Sequence, residues 1–257
     1  MLRQADRSRR WPWVALALLC CAPAAMAAEL RLALANSTCA AMKQVGALYQ
    51  QQRAVDIGYV CKSSGLLAKG LAGGALTADL FLSADAEWMD YVVDKGLVAR
   101  KNVTSPFGNA LVLAVPAGSP LRIAAWRDLA APRVATVLIG DPSHAPFGRY
   151  SKQALEAAGL WAGVRDKIET RKNIELLAES LAEADAGTVG ILFKSNLTDR
   201  LREVLTVNKK WHPPIRYYLA PLDAAAGNDE LTPFLNFLRG RAAREVFRAE
   251  RFDVAPR

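Results

Sequence analysis

The residues best placed to do chemistry sit in two short polar loops. Asn36-Ser37-Thr38 follows the apolar run Arg31 to Ala35, and Ser63-Ser64-Gly65 follows Ile57 to Val60 and Cys61-Lys62. Each loop sets hydroxyl groups between the end of a strand and the start of a helix. The first N–H groups of a helix lack intrahelical partners and carry partial positive charge, so such a loop suits an anion. One loop of this kind is most simply an N-cap. Two on successive strand–helix units are a stronger signal, because parallel neighbouring strands open their loops on the same edge of a sheet.

Other chemistries find little support. There is no Gly-x-Ser-x-Gly, no Cys–His nucleophile pair and no metal-ligand cluster; His144 and His212 stand far apart, and no Asp or Ser partner is evident for His144. The chain therefore reads as a binding protein rather than an enzyme, with no metal and no cofactor. Glu169 and Glu175 read as solvated surface carboxylates.

The 257 residues are 52% hydrophobic and 23% charged, enough for one large domain or two small lobes. Of the formal charge of +8, Arg3, Arg7, Arg9 and Arg10 against Asp6 place +3 in the first 28 residues and leave +5 on the remainder. With no Lys/Arg block and no interleaved aromatics, no nucleic-acid face is expected. The basic start, the apolar run Trp11 to Cys21 and Ala25-Met26-Ala27 predict a cleaved secretory signal over residues 1–28. Ser8-Arg9-Arg10 leaves twin-arginine export open beside the general route, and Cys20 or Cys21 a lipid anchor. After cleavage only Cys39 and Cys61 remain, and an even count in an oxidising compartment predicts a disulfide between them.

The elements that must position the loops alternate strand and helix, the pattern of a layered α/β protein. Strands are expected at Arg31–Ala35, Ile57–Val60, Leu80–Leu82, Asn109–Pro116, Arg133–Ile139 and Gly190–Phe193. Helices are expected at Ala40–Gln51, Leu66–Leu71, after Ser83-Ala84-Asp85, and at Trp126–Leu129, Arg149–Ala158, Asn173–Ala184, Leu231–Arg239 and Ala242–Arg248.

Particular residues go further than the pattern. Asp79-Leu80-Phe81-Leu82-Ser83-Ala84-Asp85 with Trp88-Met89-Asp90-Tyr91 resembles a strand–helix junction of the periplasmic molybdate-binding proteins of ABC importers. Ala35-Asn36-Ser37, Ser63-Ser64-Gly65, Asp141 to Tyr150, Asn173-Ile174 and Gly190 to Phe193 are similar to that family's ligand loops, in order and roughly in spacing. The resemblance implies a two-lobed type II periplasmic binding protein, mixed sheets flanked by helices, with a cleft between the lobes and a hinge that closes on ligand. Residues 29–107 plus 219–257 would form lobe 1 and 108–218 lobe 2. It implies molybdate or tungstate as ligand, delivered by a monomer to the membrane permease of an ABC importer. The donors it implies are Ser37 and Ser64, backbone N–H at Phe147 and Ile174, and Ser63 as a neighbour. Capture of a different anion, and periplasmic sensing without transport, are the alternatives.

Two departures bear on the ligand. The family has a tyrosine donor where this chain has Phe193, and a small residue where Phe147 stands. Lys62 and Lys194 lie close by in sequence, either as solvated side chains or as electrostatic replacements for the missing phenol.

Overall fold

The computed structural model describes residues 28–254. The expected leader, and with it Cys20 and Cys21, lies outside the described residues apart from Ala28. Along the chain come β1 (Ala28–Ala35), α1 (Cys39–Gln50), β2 (Val55–Lys62), α2 (Ser64–Ala72), β3 (Leu80–Ser83), α3 (Ala86–Asp94) and β4 (Leu111–Pro116). Then follow β5 (Thr136–Gly140), α4 (Pro146–Ala157), α5 (Trp161–Val164), β6 (Ile168–Arg171), α6 (Ile174–Ala182), β7 (Thr188–Phe193) and β8 (Leu201–Thr206). The chain closes with β9 (Tyr218–Pro221), α7 (Leu231–Leu238) and α8 (Arg241–Ala249). A single 3-10 turn, Asn36–Thr38, joins β1 to α1, and the expected helix at Trp126–Leu129 is a 3-10 segment, Trp126–Ala130.

The strands form two mixed sheets, ordered β2-β1-β3-β9 and β6-β5-β7-β4-β8. In the first, β1 runs parallel to β2 and β3 and antiparallel β9 closes the edge beyond β3. In the second, β5 is parallel to β6 and β7, while β4 is antiparallel to β7 and β8. Buried β3 and β7 are near-continuous apolar runs, as strands covered on both faces must be. On β1 and β3 the faces alternate. Leu30, Leu32, Leu34, Leu80 and Leu82 join the core that includes α1, α7 and α8; Ala33 and Phe81 join Leu67, Trp88, Met89 and Val92 under α2 and α3. Helices α4 and α6 cover the second sheet.

The chain passes between the sheets twice, and the two passages pair with each other. Thr104 and Leu219 exchange both backbone hydrogen bonds, Tyr217 N–H donates to Phe107, and Asn109 N–H to Ile215. Gly108 also exchanges bonds with Asp253 of the C-terminal segment. Phe107, Tyr217, Phe247 and Phe252 pack together there, with ring centroids 4.2–5.7 Å apart.

The expected elements are present, most of them longer than expected. Four were not foreseen: α5, the edge strands β6 and β8, and β9 on the return passage. Cys39 and Cys61 are bonded, with Cα atoms 6.1 Å apart, which ties the start of α1 to the end of β2. Among the described residues no helix is long and apolar enough to cross a membrane.

Candidate functional site

Because β1 and β2 are parallel neighbours, the loops at their C-terminal ends lie side by side, and β3 brings Ala84 beside them. The second sheet faces them with the starts of α4 and α6 and the end of β7. Together they line a narrow cavity of about 10 Å³, walled by Ala35, Asn36, Ser37, Ser63, Ser64, Ala84, Pro146, Phe147, Asn173, Ile174 and Phe193. All six residues singled out from the sequence line it: Ser37, Ser63, Ser64, Phe147, Ile174 and Phe193. Ala35, Asn36, Ala84, Pro146 and Asn173 complete the wall. None of the lining residues is charged.

Local chemistry explains each helix start. Ser63 takes extended backbone at the N-cap of α2. Pro146 opens α4 at a position where a missing N–H costs nothing. Asn173 caps α6, its Oδ1 accepting from Leu176 N–H at 2.8 Å. Asp85 caps α3 by accepting from Trp88 N–H at 3.1 Å. The first turns of α2, α4 and α6 therefore bring unpaired N–H groups and positive dipole ends to one point. Gly148 and Gly140 make this possible for α4. A Cβ on Gly148 would stand 2.2 Å from the Gly140 carbonyl oxygen, so only glycine lets the helix start this close to the end of β5.

The hydroxyls are not equivalent. Ser64 is fully buried, and its Oγ accepts from Ala84 N–H at 3.0 Å, which leaves its own proton to donate. Ser63 Oγ lies 3.0 Å from His144 Nδ1, and His144 Nε2 lies 3.3 Å from Asp141 Oδ2. The Ser63 hydroxyl is thereby paired with the His144 ring. This corrects the expectation that His144 lacks Asp and Ser partners: Asp141 lies in its own turn, but Ser63 comes from the facing lobe, 81 residues away. Ser37 Oγ lies 2.9 Å from the hydroxyl of Tyr217, a fully buried residue of the return passage that no local pattern marks.

The second departure has a packing answer. Phe147 is buried, its ring against Gly140 and, edge on, against Phe193 with centroids 6.1 Å apart. Neither lysine replaces the phenol. Lys194 Nζ pairs with Glu203 of β8 at 3.4 Å, Lys62 is exposed, and neither lines the cavity.

Several contacts join the lobes around the cavity. Gly65 N–H donates to the His144 carbonyl at 3.1 Å. Arg149 of α4 pairs with both Asp85 and Glu87 at the start of α3 and lies 5.6 Å over the Trp88 ring. Burial pushes the Asp85 carboxyl above its ordinary range, with Arg149 opposing. Asn36 Nδ2 donates to Glu175 of α6, whose carboxyl burial also pushes up; Asn36 Oδ1 is buried without a partner among the described residues. Glu175 is thus no solvated surface group. Chemically, what faces the cavity from both sheets is a set of neutral donors and helix ends, groups suited to an anion.

Comparisons with known proteins bear on the family and the fold. The chain is 29% identical over 222 residues to the molybdate-binding protein ModA of Escherichia coli, covering 83% of this chain and 84% of that one. It is 30% identical over 230 residues to ModA of Haemophilus influenzae, covering 86% and 89%. The fold matches the periplasmic molybdate-binding protein of Azotobacter vinelandii with a TM-score of 0.78, at 17% identity, over 89% of this chain and all of that one. With residues 30–252 matching the family's sequence model, the chain belongs to the bacterial extracellular solute-binding proteins.

Proposed function

We propose that this protein captures molybdate or tungstate in the periplasm and delivers it to the membrane permease of an ABC importer. The observation that carries the reading is a narrow cavity with no charged lining, on which the first turns of three helices and the free proton of Ser64 converge. A tetrahedral dianion accepts from every side, and neutral donors hold it without the slow release that a buried counter-ion would impose. Ser37, Ser64 and the N–H groups of Phe147 and Ile174 are the donors of this reading; Phe193 supplies an apolar wall. The curated relatives named for molybdate support the choice of anion. Export would rest on the leader over residues 1–28, and residues 29–107 with 219–257 would move against 108–218 as the cleft opens. The protein acts as a monomer, by binding alone.

A second reading has one observation in its favour. Asn36 Oδ1 is a buried acceptor without a partner on a residue that lines the cavity, and an acceptor suits an anion carrying its own proton, such as hydrogen phosphate. Titration calorimetry of the ligand-stripped protein with molybdate, tungstate, sulfate and phosphate in parallel separates the two. Heat from the first two alone is expected. Binding of phosphate with none of molybdate would overturn the reading. Turnover of a phosphate ester by the Ser63–His144–Asp141 chain would overturn binding alone as the function.

A further inference from the structure

We propose that Tyr217 is a positioning residue that holds Ser37 as a pure donor toward the bound anion, replacing from behind the phenol that Phe193 cannot supply. The inference rests on the anion-binding reading and is carried by the direction of the hydrogen bonds beneath Ser37.

The direction starts from backbone groups that can only donate. Asn109 Oδ1 accepts from Ala110 N–H at 2.9 Å and from Ser195 N–H at 3.4 Å, which fixes the orientation of its amide. Asn109 Nδ2 therefore points the other way and donates to Ser195 Oγ at 2.8 Å and to the Tyr217 hydroxyl at 3.1 Å. Ser195 directs its own proton to Asn196 Oδ1 at 3.1 Å. The Tyr217 oxygen thus receives an N–H; Ser195 Oγ also borders the phenol but already accepts from Asn109 and donates to Asn196, so the Tyr217 proton goes to Ser37 Oγ at 2.9 Å. With Tyr217 donating to it, Ser37 must send its own proton elsewhere, and Ser37 lines the cavity. The relay runs Asn109 to Tyr217 to Ser37 to anion, every member a donor in one direction. Burial reinforces it by pushing the Tyr217 phenol far above its ordinary range, so it stays protonated.

The arrangement repeats what the backbone does for Ser64, whose Oγ accepts from Ala84 N–H. In both serines a protein donor occupies the oxygen from behind and frees the proton for the ligand. Tyr217 also belongs to the passage between the lobes, so the relay is anchored at the hinge rather than on either loop.

The test is a double-mutant cycle read by calorimetry with molybdate: wild type, Tyr217→Phe, Ser37→Ala and the double variant. Hydrogen bonds to a charged acceptor imply that each single change weakens binding, Tyr217→Phe about tenfold and Ser37→Ala about tenfold to a hundredfold. Because Tyr217 acts through Ser37, the double variant should bind no more weakly than Ser37→Ala, within about twofold. Unchanged affinity in Tyr217→Phe, or losses that simply multiply, would overturn the proposal, since a merely structural tyrosine costs the same in both backgrounds. Thermal melts of the ligand-free variants check folding. Should Tyr217→Phe not fold, Asn109→Ala removes the N–H that sets the relay's direction, and the same non-additivity with Ser37→Ala is expected. If the wild type ignores molybdate and binds sulfate or phosphate instead, the functional reading fails, and the same cycle run with that anion still decides the role of Tyr217.

Discussion

Glu175 lies in the first turn of α6, beside the cavity, and its carboxyl is pushed above the ordinary 4.5 chiefly by burial. The sign of the consequence follows from linkage. A carboxyl with a raised folded value holds its proton more tightly in the folded state, so stability is unaffected well below 4.5 and falls as pH climbs through the raised value. An anion in the cavity adds repulsion to the ionised form, so its affinity should fall over the same window. Glu175→Gln keeps an acceptor for Asn36 and removes the charge. We expect it to bind molybdate several-fold more tightly at pH values where Glu175 is ionised and to flatten the decline in affinity as pH rises above 4.5, measured by calorimetry. A wild-type profile already flat over that range would show that Glu175 does not couple to the ligand. Ser64→Ala acts in the opposite direction. It removes a donor and strands the Ala84 N–H, and an affinity loss of about tenfold to a hundredfold is expected; a loss below threefold would remove Ser64 from the ligand's partners.

At the scale of elements, what could be read from the chain was what short-range chemistry dictates. The hydroxyl loops at Ser37 and Ser63-Ser64 were legible because strand ends and helix starts are encoded within four or five residues, whereas Phe147 and Ile174 were reached only through the family resemblance. Strands β3 and β7 were legible because both their faces are buried. The edge strands β6 (IETR) and β8 (LREVLT) mix charge with apolar residues, since an edge keeps one side wet, and no strand period stands out in them. The start of α4 was expected at Arg149 and lies at Pro146, where the fixed φ of proline favours a first turn. Tyr217 meets Ser37 across 180 residues and His144 meets Ser63 across 81, pairings that only the fold creates. The disulfide shows the same union of loops. Cys39 follows Ser37 by two residues and Cys61 precedes Ser63 by two, so the bond clamps both hydroxyl loops. Closing a separation of 22 residues contributes about 3 kcal/mol in the loop-entropy account. Reduction, or Cys39→Ser with Cys61→Ser, should lower the melting temperature and weaken molybdate binding together. A lower melting point with intact affinity would confine the bond to stability.

For the molecule as a whole, the proposed opening of the cleft would take the cavity apart, so affinity would include the free energy of closing. An anion that binds the closed form alone has an apparent affinity scaled by the closed fraction. The contacts that hold that form lie on named residues. Arg149 bridges from α4 to Asp85 and Glu87, and Gly65 meets His144 so closely that a Cβ would lie 2.9 Å from its carbonyl oxygen and 2.7 Å from the Trp88 ring. Asp85 is 5% exposed and still caps α3, so it cannot leave when Arg149 is removed. In Arg149→Ala the closed form would bury an uncompensated carboxylate, which opening would return to water. The variant should therefore favour the open form. Small-angle scattering of the ligand-free variant should show a larger radius of gyration than the wild type, and saturating molybdate should restore the compact value. Affinity should fall about tenfold, in proportion to the closed fraction lost. Gly65→Ala should act in the same direction by obstructing the approach itself. The two causes separate with pH, because protonating Asp85 relieves the first and leaves the second. If Arg149→Ala scattered and bound like the wild type, the ion pair would be a consequence of closure and not one of its causes.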